Sequence, residues 1–217
     1  MGGVASLFSF LFMGSSKVDA IVLAGGQNTR FPTLKGFITL GDEAILDRNL
    51  SILRGFFGEC FISTNSPEVY FSRRARLIGD VIDARGPATG ILSALLATGA
   101  EDVFVVACDM PLVKKELVEF IARSQVGYDA VVAVYEGVVQ PLLGIYNRRS
   151  IPVIERAIAG GRKRLRDVLG MLNVRYLTQE EFSTIDNEGE SFVNVNTPLD
   201  LKRLMQSMDL GYDQSNR

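Results

Sequence analysis

The chain has 217 residues, 47% apolar, 22% charged and 9% aromatic, which is the composition of an ordinary globular protein with one domain. Twenty-three basic against twenty-five acidic residues leave a formal charge of −2, so no excess positive field is available for a nucleic-acid backbone or an anionic membrane. The absence of histidine excludes His-based triads and His-ligated metals, and two cysteines are too few for a four-thiolate zinc site or a disulfide framework. Cys60 and Cys108 both lie in apolar runs and read as reduced, buried thiols of a cytoplasmic protein.

The first apolar run, Val4 to Phe12, is too short for the roughly 20 residues that span a bilayer, and it lacks a basic leader and a small-residue cleavage site. Residues 1–16 therefore read as an N-terminal arm or an overextended start, and 17–217 as one folded domain. Val18–Leu23 reads as a buried strand leaving into Ala24-Gly25-Gly26. Phe37–Leu40 reads as a short strand before the Gly41-Asp42 turn, and Ala44–Arg54 as a helix with Ile45, Leu46, Leu50 and Leu53 on one side. Next come a strand at Cys60-Phe61-Ile62, a Leu/Ala-rich helix over Thr89–Thr98 and a strand over Val103–Ala107 that stops at Cys108-Asp109-Met110-Pro111. An amphipathic helix is expected over Lys114–Arg123, strands over Ala130–Tyr135 and Leu142–Tyr146, and helices over Ile151–Ala159 and Leu165–Leu172. Val174–Leu177 and Phe192–Val195 complete the strands, and a helix runs from Pro198 to about Met208. Near-continuous apolar strands alternating with helices indicate an α/β sheet, mostly parallel, with helices on both faces. Ligands of such sheets bind beyond the carboxyl ends of the strands, here the loops after Leu23, Ile62, Ala107 and Val195.

Four stretches in those loops carry chemistry. Leu23-Ala24-Gly25-Gly26, with Arg30 and Lys35 behind it, brings backbone N–H groups and cationic donors to an anion, although neither a Walker A loop nor a G-x-G-x-x-G fingerprint occurs. Asp109 at a strand terminus suits a hard oxygen ligand for Mg²⁺, or equally a cap for the helix that follows. Asp80 and Asp83 precede Gly86-Pro87-Ala88-Thr89-Gly90, and either carboxylate can accept from a nucleotide or stand as solvated loop charge. In Asn194-Val195-Asn196-Thr197-Pro198-Leu199-Asp200 a Thr–Pro–Asp cap explains the helix start, while Asn194 and Asn196, expected on one strand face, suit a polar ligand.

These motifs, with Gln140-Pro141-Leu142 and Arg164-Leu165-Arg166-Asp167 between them, occur in an order that resembles the molybdenum cofactor guanylyltransferase (MobA-like) family. The resemblance runs from about Val18 to Met208 and implies a single-domain, Rossmann-like nucleotidyltransferase fold over 17–217. It implies transfer of GMP from GTP to the phosphate of molybdopterin or Mo-molybdopterin, with pyrophosphate released and Mg²⁺ as cofactor. GTP would be bound by Leu23, Ala24, Gly25, Gly26, Lys35, Asn65, Asp80 and Asp109, with Arg30, Lys35 and Asp109 catalytic and Asp109 on the metal. Arg164, Asn194 and Asn196 would meet molybdopterin, with Arg162, Lys163 and Arg166 nearby or simply a solvated helix face. Proteins that deliver molybdopterin and molybdoenzymes that receive the product are the implied protein partners. The chain departs from the family in Phe31-Pro32, where Met-Gly is usual, and in Ala88-Thr89-Gly90, where Leu-Ala-Gly is usual. A sugar-phosphate or CTP-dependent nucleotidyltransferase, and a nucleotide-binding module without turnover, are the competing expectations.

Overall fold

The computed structural model describes residues 18–25, 35–162 and 164–213, the side chains of Lys35 and of 209–213 excepted. The expected arm at 1–16, and the expected roles of Gly26, Arg30, Phe31-Pro32, the Lys35 side chain and Lys163, lie outside those residues.

Seven strands form the main sheet: β1 (Val18–Leu23), β4 (Cys60–Ser63), β5 (Arg76–Ile78), β6 (Asp102–Ala107), β7 (Ala130–Tyr135), β8 (Val138–Asn147) and β9 (Val174–Leu177). Their order is β5-β4-β1-β6-β8-β7-β9, and β8 alone runs against the rest. The two central strands, β1 and β6, are buried on both faces, as their unbroken apolar sequences require. β2 (Thr39–Leu40) and β3 (Glu43–Ala44) make a separate two-stranded ribbon, and the strand expected at Phe37–Leu40 is shorter than that, Phe37 belonging to a 3₁₀ turn over Lys35–Phe37.

One face of the sheet is covered by α1 (Ile45–Arg54), α4 (Lys115–Arg123) and α7 (Gln179–Asp186), through Leu46, Leu50, Leu117, Ile121 and Phe182. The opposite face is covered by α3 (Pro87–Thr98), α5 (Ile151–Ala159) and α6 (Leu165–Leu169), through Ile91, Leu95, Ile154 and Val168. α2 (Pro67–Tyr70) is a single turn between β4 and β5, and α8 (Pro198–Asp213) ends the described chain. No helix among the described residues is long and apolar enough to cross a membrane.

Two expectations are corrected. Phe192–Val195 is not a strand: Glu190–Phe192 forms a 3₁₀ turn, and Asn194 donates its own amide back to the Phe192 carbonyl at 2.9 Å. An asparagine that bonds backbone two residues away competes with strand pairing, so the segment turns instead of joining the sheet. The helix expected over Leu165–Leu172 stops at Leu169, because Gly170 follows as its C-cap. Cys60 and Cys108 are free thiols as expected, but Cys60 is half-buried rather than buried.

Candidate active site

The carboxyl ends of β4, β1 and β6 lie side by side, and their exits are stitched together. The Ala24 amide donates to the Ser63 carbonyl at 2.9 Å, and the Cys108 amide donates to the Leu23 carbonyl at 3.1 Å. From β1 the chain builds outward to β4 and β5 on one side, then crosses to β6 on the other. This reversal opens the crevice in which α/β sheets bind their ligands. Leu23, Ala24 and Gly25 sit at that point, and so does Asp109, two residues beyond the end of β6.

Asn65 and Asp80, far apart in sequence, are brought into contact. Asn65 Nδ2 donates to Asp80 Oδ2 at 2.6 Å, and the Asp80 amide donates to Asn65 Oδ1 at 2.9 Å. The loops carrying them are joined by a bond from the Thr64 amide to the Ile78 carbonyl at 2.9 Å. The Val81 amide then donates to Ser93 Oγ on α3, fixing where the Asp80 loop leaves the sheet. Asp83 is exposed on the same loop and is outside this pair.

Asp109 is half-buried, and the loop that holds it is fixed from below by a residue outside the sequence motifs. Asn49 is buried on the sheet-facing side of α1, and its Nδ2 donates to the Met110 carbonyl at 3.1 Å and to the Ala107 carbonyl at 3.4 Å. Its sequence signal is its spacing: four residues after Ile45 and three after Leu46, it is a polar residue on the apolar face. The alternative role for Asp109, capping α4, does not hold. The N-cap of α4 is Lys114, which has no side-chain cap, and its amide donates to Ser191 Oγ at 3.0 Å.

The segment after Phe192 lies against the same loop, because the Val195 amide donates to the Asp109 carbonyl at 2.8 Å. Asn194 and Asn196 therefore stand beside the Asp109 loop on an irregular segment, not on the shared strand face expected of them. Behind them the cap of α8 is reciprocal: the Asp200 amide donates to Thr197 Oγ1 at 3.2 Å, and the Thr197 amide donates to Asp200 Oδ2 at 2.8 Å. That segment is anchored by a buried carboxylate, Asp186, which accepts from the amides of Ser191 at 2.9 Å and Glu190 at 3.1 Å. Lys114 Nζ closes the anchor, 3.0 Å from Asp186 and 2.8 Å from Glu190. Burial would raise the Asp186 carboxyl, but the Ser191 hydroxyl and amide and the Lys114 ammonium outweigh it and hold its pKa below the ordinary aspartate value.

The arginines are not gathered in the same way. Arg164 is the N-cap residue of α6, exposed, and Arg166, two residues on, is exposed as well. Both belong to the face covered by α3 and α5, whereas Asn194 follows Phe192, which packs on the face of α1 and α4. Cys60 and Tyr70 are poorly suited to act as nucleophiles. Burial pushes Cys60 up to about 11, and burial with the neighbouring Cys108 pushes Tyr70 up to about 12. Among the described residues no three His, Cys, Asp or Glu side chains form a cluster able to enclose a metal ion. A strand-end carboxylate such as Asp109 would suit a cation that takes most of its ligands from phosphate oxygens and water. Mg²⁺ behaves in that way, and zinc does not.

A family model for the MobA-like NTP transferase domain matches residues 20–177. The chain belongs to that family. It is similar to a probable molybdenum cofactor guanylyltransferase of Carboxydothermus hydrogenoformans, 30% identical over 189 residues that cover 87% of this chain and 95% of that one. It is likewise similar to one from Pelotomaculum thermopropionicum, 32% identical, covering 85% of this chain and 90% of that one. Among solved structures it resembles molybdopterin-guanine dinucleotide biosynthesis protein A of Archaeoglobus fulgidus, with a TM-score of 0.77 and 28% identity over 88% of this chain and 98% of that one. The MobA-like chain is thus a nucleotidyltransferase, and the strand ends described above are where its fold places a ligand.

Proposed function

We propose that this protein transfers GMP from GTP to the phosphate of molybdopterin, forming the guanine dinucleotide and releasing pyrophosphate. The reading is carried by the relatives named molybdenum cofactor guanylyltransferase, which align over nearly their whole length. It is supported by Asp109 standing at the crossover between β1 and β6. An oxygen of the acceptor phosphate attacks the α-phosphorus of GTP, a new P–O bond forms, and the bond to the β-phosphate oxygen breaks. A phosphate monoester is already largely dianionic near neutrality, its second pKa being about 6, so the attack needs no general base. This suits a chain without histidine.

The work left to the protein is positioning and charge. The backbone of Leu23, Ala24 and Gly25 lies along the nucleotide, and the paired Asn65 and Asp80 offer it an amide and a carboxylate. Asn194 and Asn196 stand on the acceptor side, with Arg164 a further contact for molybdopterin. Lys35 and Arg30, with Gly26, complete the phosphate loop. Asp109 would hold Mg²⁺, which when bound neutralises charge that builds on the transferring phosphate. Molybdopterin-delivery proteins and molybdoenzymes are the proteins on either side of this reaction, and the cytoplasm is its place.

The reading is tested by measuring pyrophosphate release with each of the four NTPs, with and without molybdopterin. Release is expected only when GTP and molybdopterin are both present. Preference for CTP would move the protein to cytidylyl transfer, dependence on a sugar phosphate would change the acceptor, and binding without release would make it a regulatory module. Asp109→Asn separates the residue's role from folding. It should lower the single-turnover rate by about 10² or more while guanine nucleotide affinity stays within a few-fold. A normal rate in a destabilised variant would remove Asp109 from the chemistry.

A further inference from the structure

Strand β8 pairs with β6 without interruption, from Asp102 opposite Asn147 to Val106 opposite Leu143. Against β7 it is irregular. Val132 faces Gly144, and the next residue, Ala133, faces Gln140, so residues 141–143 form a bulge. The bulge sits level with the end of β6, and three features build it. Pro141 has no N–H to give a regular ladder, so it is tolerated where pairing is broken. At Gly144 a Cβ would stand 2.7 Å from the Val131 carbonyl oxygen and 2.8 Å from a Val132 methyl, so only glycine admits this approach. Tyr146, fully buried, donates its hydroxyl to the Pro141 carbonyl at 2.7 Å and ties the bulge to the sheet.

Bulges beside active sites re-aim side chains. Here the hairpin of β7 and β8 is carried past the end of β6, with Gln140 opposite Ala133 on the face that holds Met110 and Phe192. Tyr135 of the same hairpin stacks on Phe192 with ring centroids 5.2 Å apart. Phe192 leads into the Asn194–Asn196 segment, and Val195 bonds the Asp109 carbonyl. The hairpin, that segment and Asp109 thus form one wall, across the crossover from the loops of β1 and β4. Gln140 is half-buried in it, and its carboxamide makes no hydrogen bond to a described residue.

A carboxamide presents a donor and an acceptor side by side, the complement of a heterocycle edge that carries one of each. Accepting the reading of the protein as a transferase to molybdopterin, we propose that Gln140 hydrogen-bonds the ring edge of the acceptor. Tyr146 is the positioning residue that holds the bulge in place. Gln140 discriminates the acceptor and takes no part in nucleotide binding.

The test is steady-state kinetics of the full chain with GTP and molybdopterin varied separately. Gln140→Ala should raise KM for molybdopterin about tenfold, with kcat and KM for GTP within twofold. Tyr146→Phe should raise the same KM several-fold in the same direction, with KM for GTP unchanged. If Tyr146→Phe proves too unstable to assay, Gln140→Ala decides the question, since its side chain is bonded to nothing described. Gln140→Ala with an unchanged KM for molybdopterin, or with its main effect on KM for GTP, overturns the assignment. Wild-type enzyme that releases no pyrophosphate with molybdopterin overturns the guanylyl-transfer reading, and this inference falls with it. Active wild type with an indifferent Gln140→Ala overturns this inference alone.

Discussion

At the scale of single residues, the strand ends are set by side chains buried beneath them. Asn49 is buried, and its amide spans the two carbonyls, Ala107 and Met110, that bracket Asp109. Replacing it by aspartate turns a donor into an acceptor and places a carboxylate against two carbonyl oxygens in a desolvated site. Such a change costs about 2 kcal/mol or more, because both carbonyls lose the Asn49 donor, Ala107 keeping the Met110 amide at 3.4 Å, while a charge is buried. Asn49→Asp should therefore lower the midpoint of urea unfolding and also slow turnover, with nucleotide affinity changed less than the rate. A variant with normal turnover at a temperature where it is folded would show that the Asp109 loop holds itself. Asn49 announces itself in the sequence only as a polar residue on an apolar helix face. Its partners lie 58 and 61 positions away, so the reason for it emerges only once α1 is packed beneath β6.

At the scale of elements, the reading succeeds where burial and chain period agree. The expected bounds of β1, β7, α5 and β9 coincide with the observed ones, because each is an apolar run punctuated by glycine, proline or charge. β5 has three residues and α2 four, too short for periodicity to register. α7 escaped because Phe182 and Ile185 are its only large apolar residues, yet its start carries a T-x-x-E signature. Thr178 and Glu181 do form the reciprocal capping box. The same balance explains the site. Asp109 and Asp80 are visible as polar residues in the loops beyond strands and Asn65 through the family resemblance alone, whereas the false strand at Phe192–Val195 arose from local alternation without a neighbour to pair with.

The turn that replaces that strand makes its own prediction. Gly189 has φ of +66°, and a Cβ there would run into the Tyr135 ring. Gly189→Ala meets a left-handed backbone and a stacked aromatic together. The expected loss is about 2–4 kcal/mol, from the conformational penalty and the overpacking added. Thermal unfolding of this variant should show that loss, and KM for the acceptor should rise more than KM for GTP, since Tyr135 and Phe192 wall only one side. Equal rises in both would mean that the loop supports the whole crevice rather than half of it.

At the scale of the molecule, the wall that carries Asn194 and Asn196 is held through charge as well as packing, and that charge sets the response to pH. Besides Glu180 on α7, two carboxyls of this wall are held below their ordinary values. Asp186 is held by Ser191 and Lys114 against its burial, and Asp200 by the Thr197 hydroxyl first and then by the amides of Asn196 and Thr197. Lys114 is raised, chiefly by Glu190 and then by Asp186. A carboxyl depressed in the folded state contributes stability that is present above its unfolded pKa of about 4 and is lost as pH falls through the folded value. A raised lysine contributes stability that is present below about pH 10.4 and is lost as pH rises through its folded value. The Lys114–Asp186 anchor therefore contributes its full stability between roughly pH 4 and 10, and stability should decline on the acid side as Asp186 and Asp200 are protonated. Asp186→Asn removes the buried charge but keeps the shape. It should cost about 2 kcal/mol at neutral pH, less than the 3–5 of a fully enclosed pair because Lys114 remains open to water. More tellingly, it should flatten the acid limb. The difference in unfolding free energy between wild type and Asp186→Asn, measured by urea titration at pH 7 and again near pH 3, should shrink toward the lower pH. A difference that stays constant across that range would show that the carboxylate's charge contributes nothing and that its hydrogen-bonding shape alone holds the segment against Asp109.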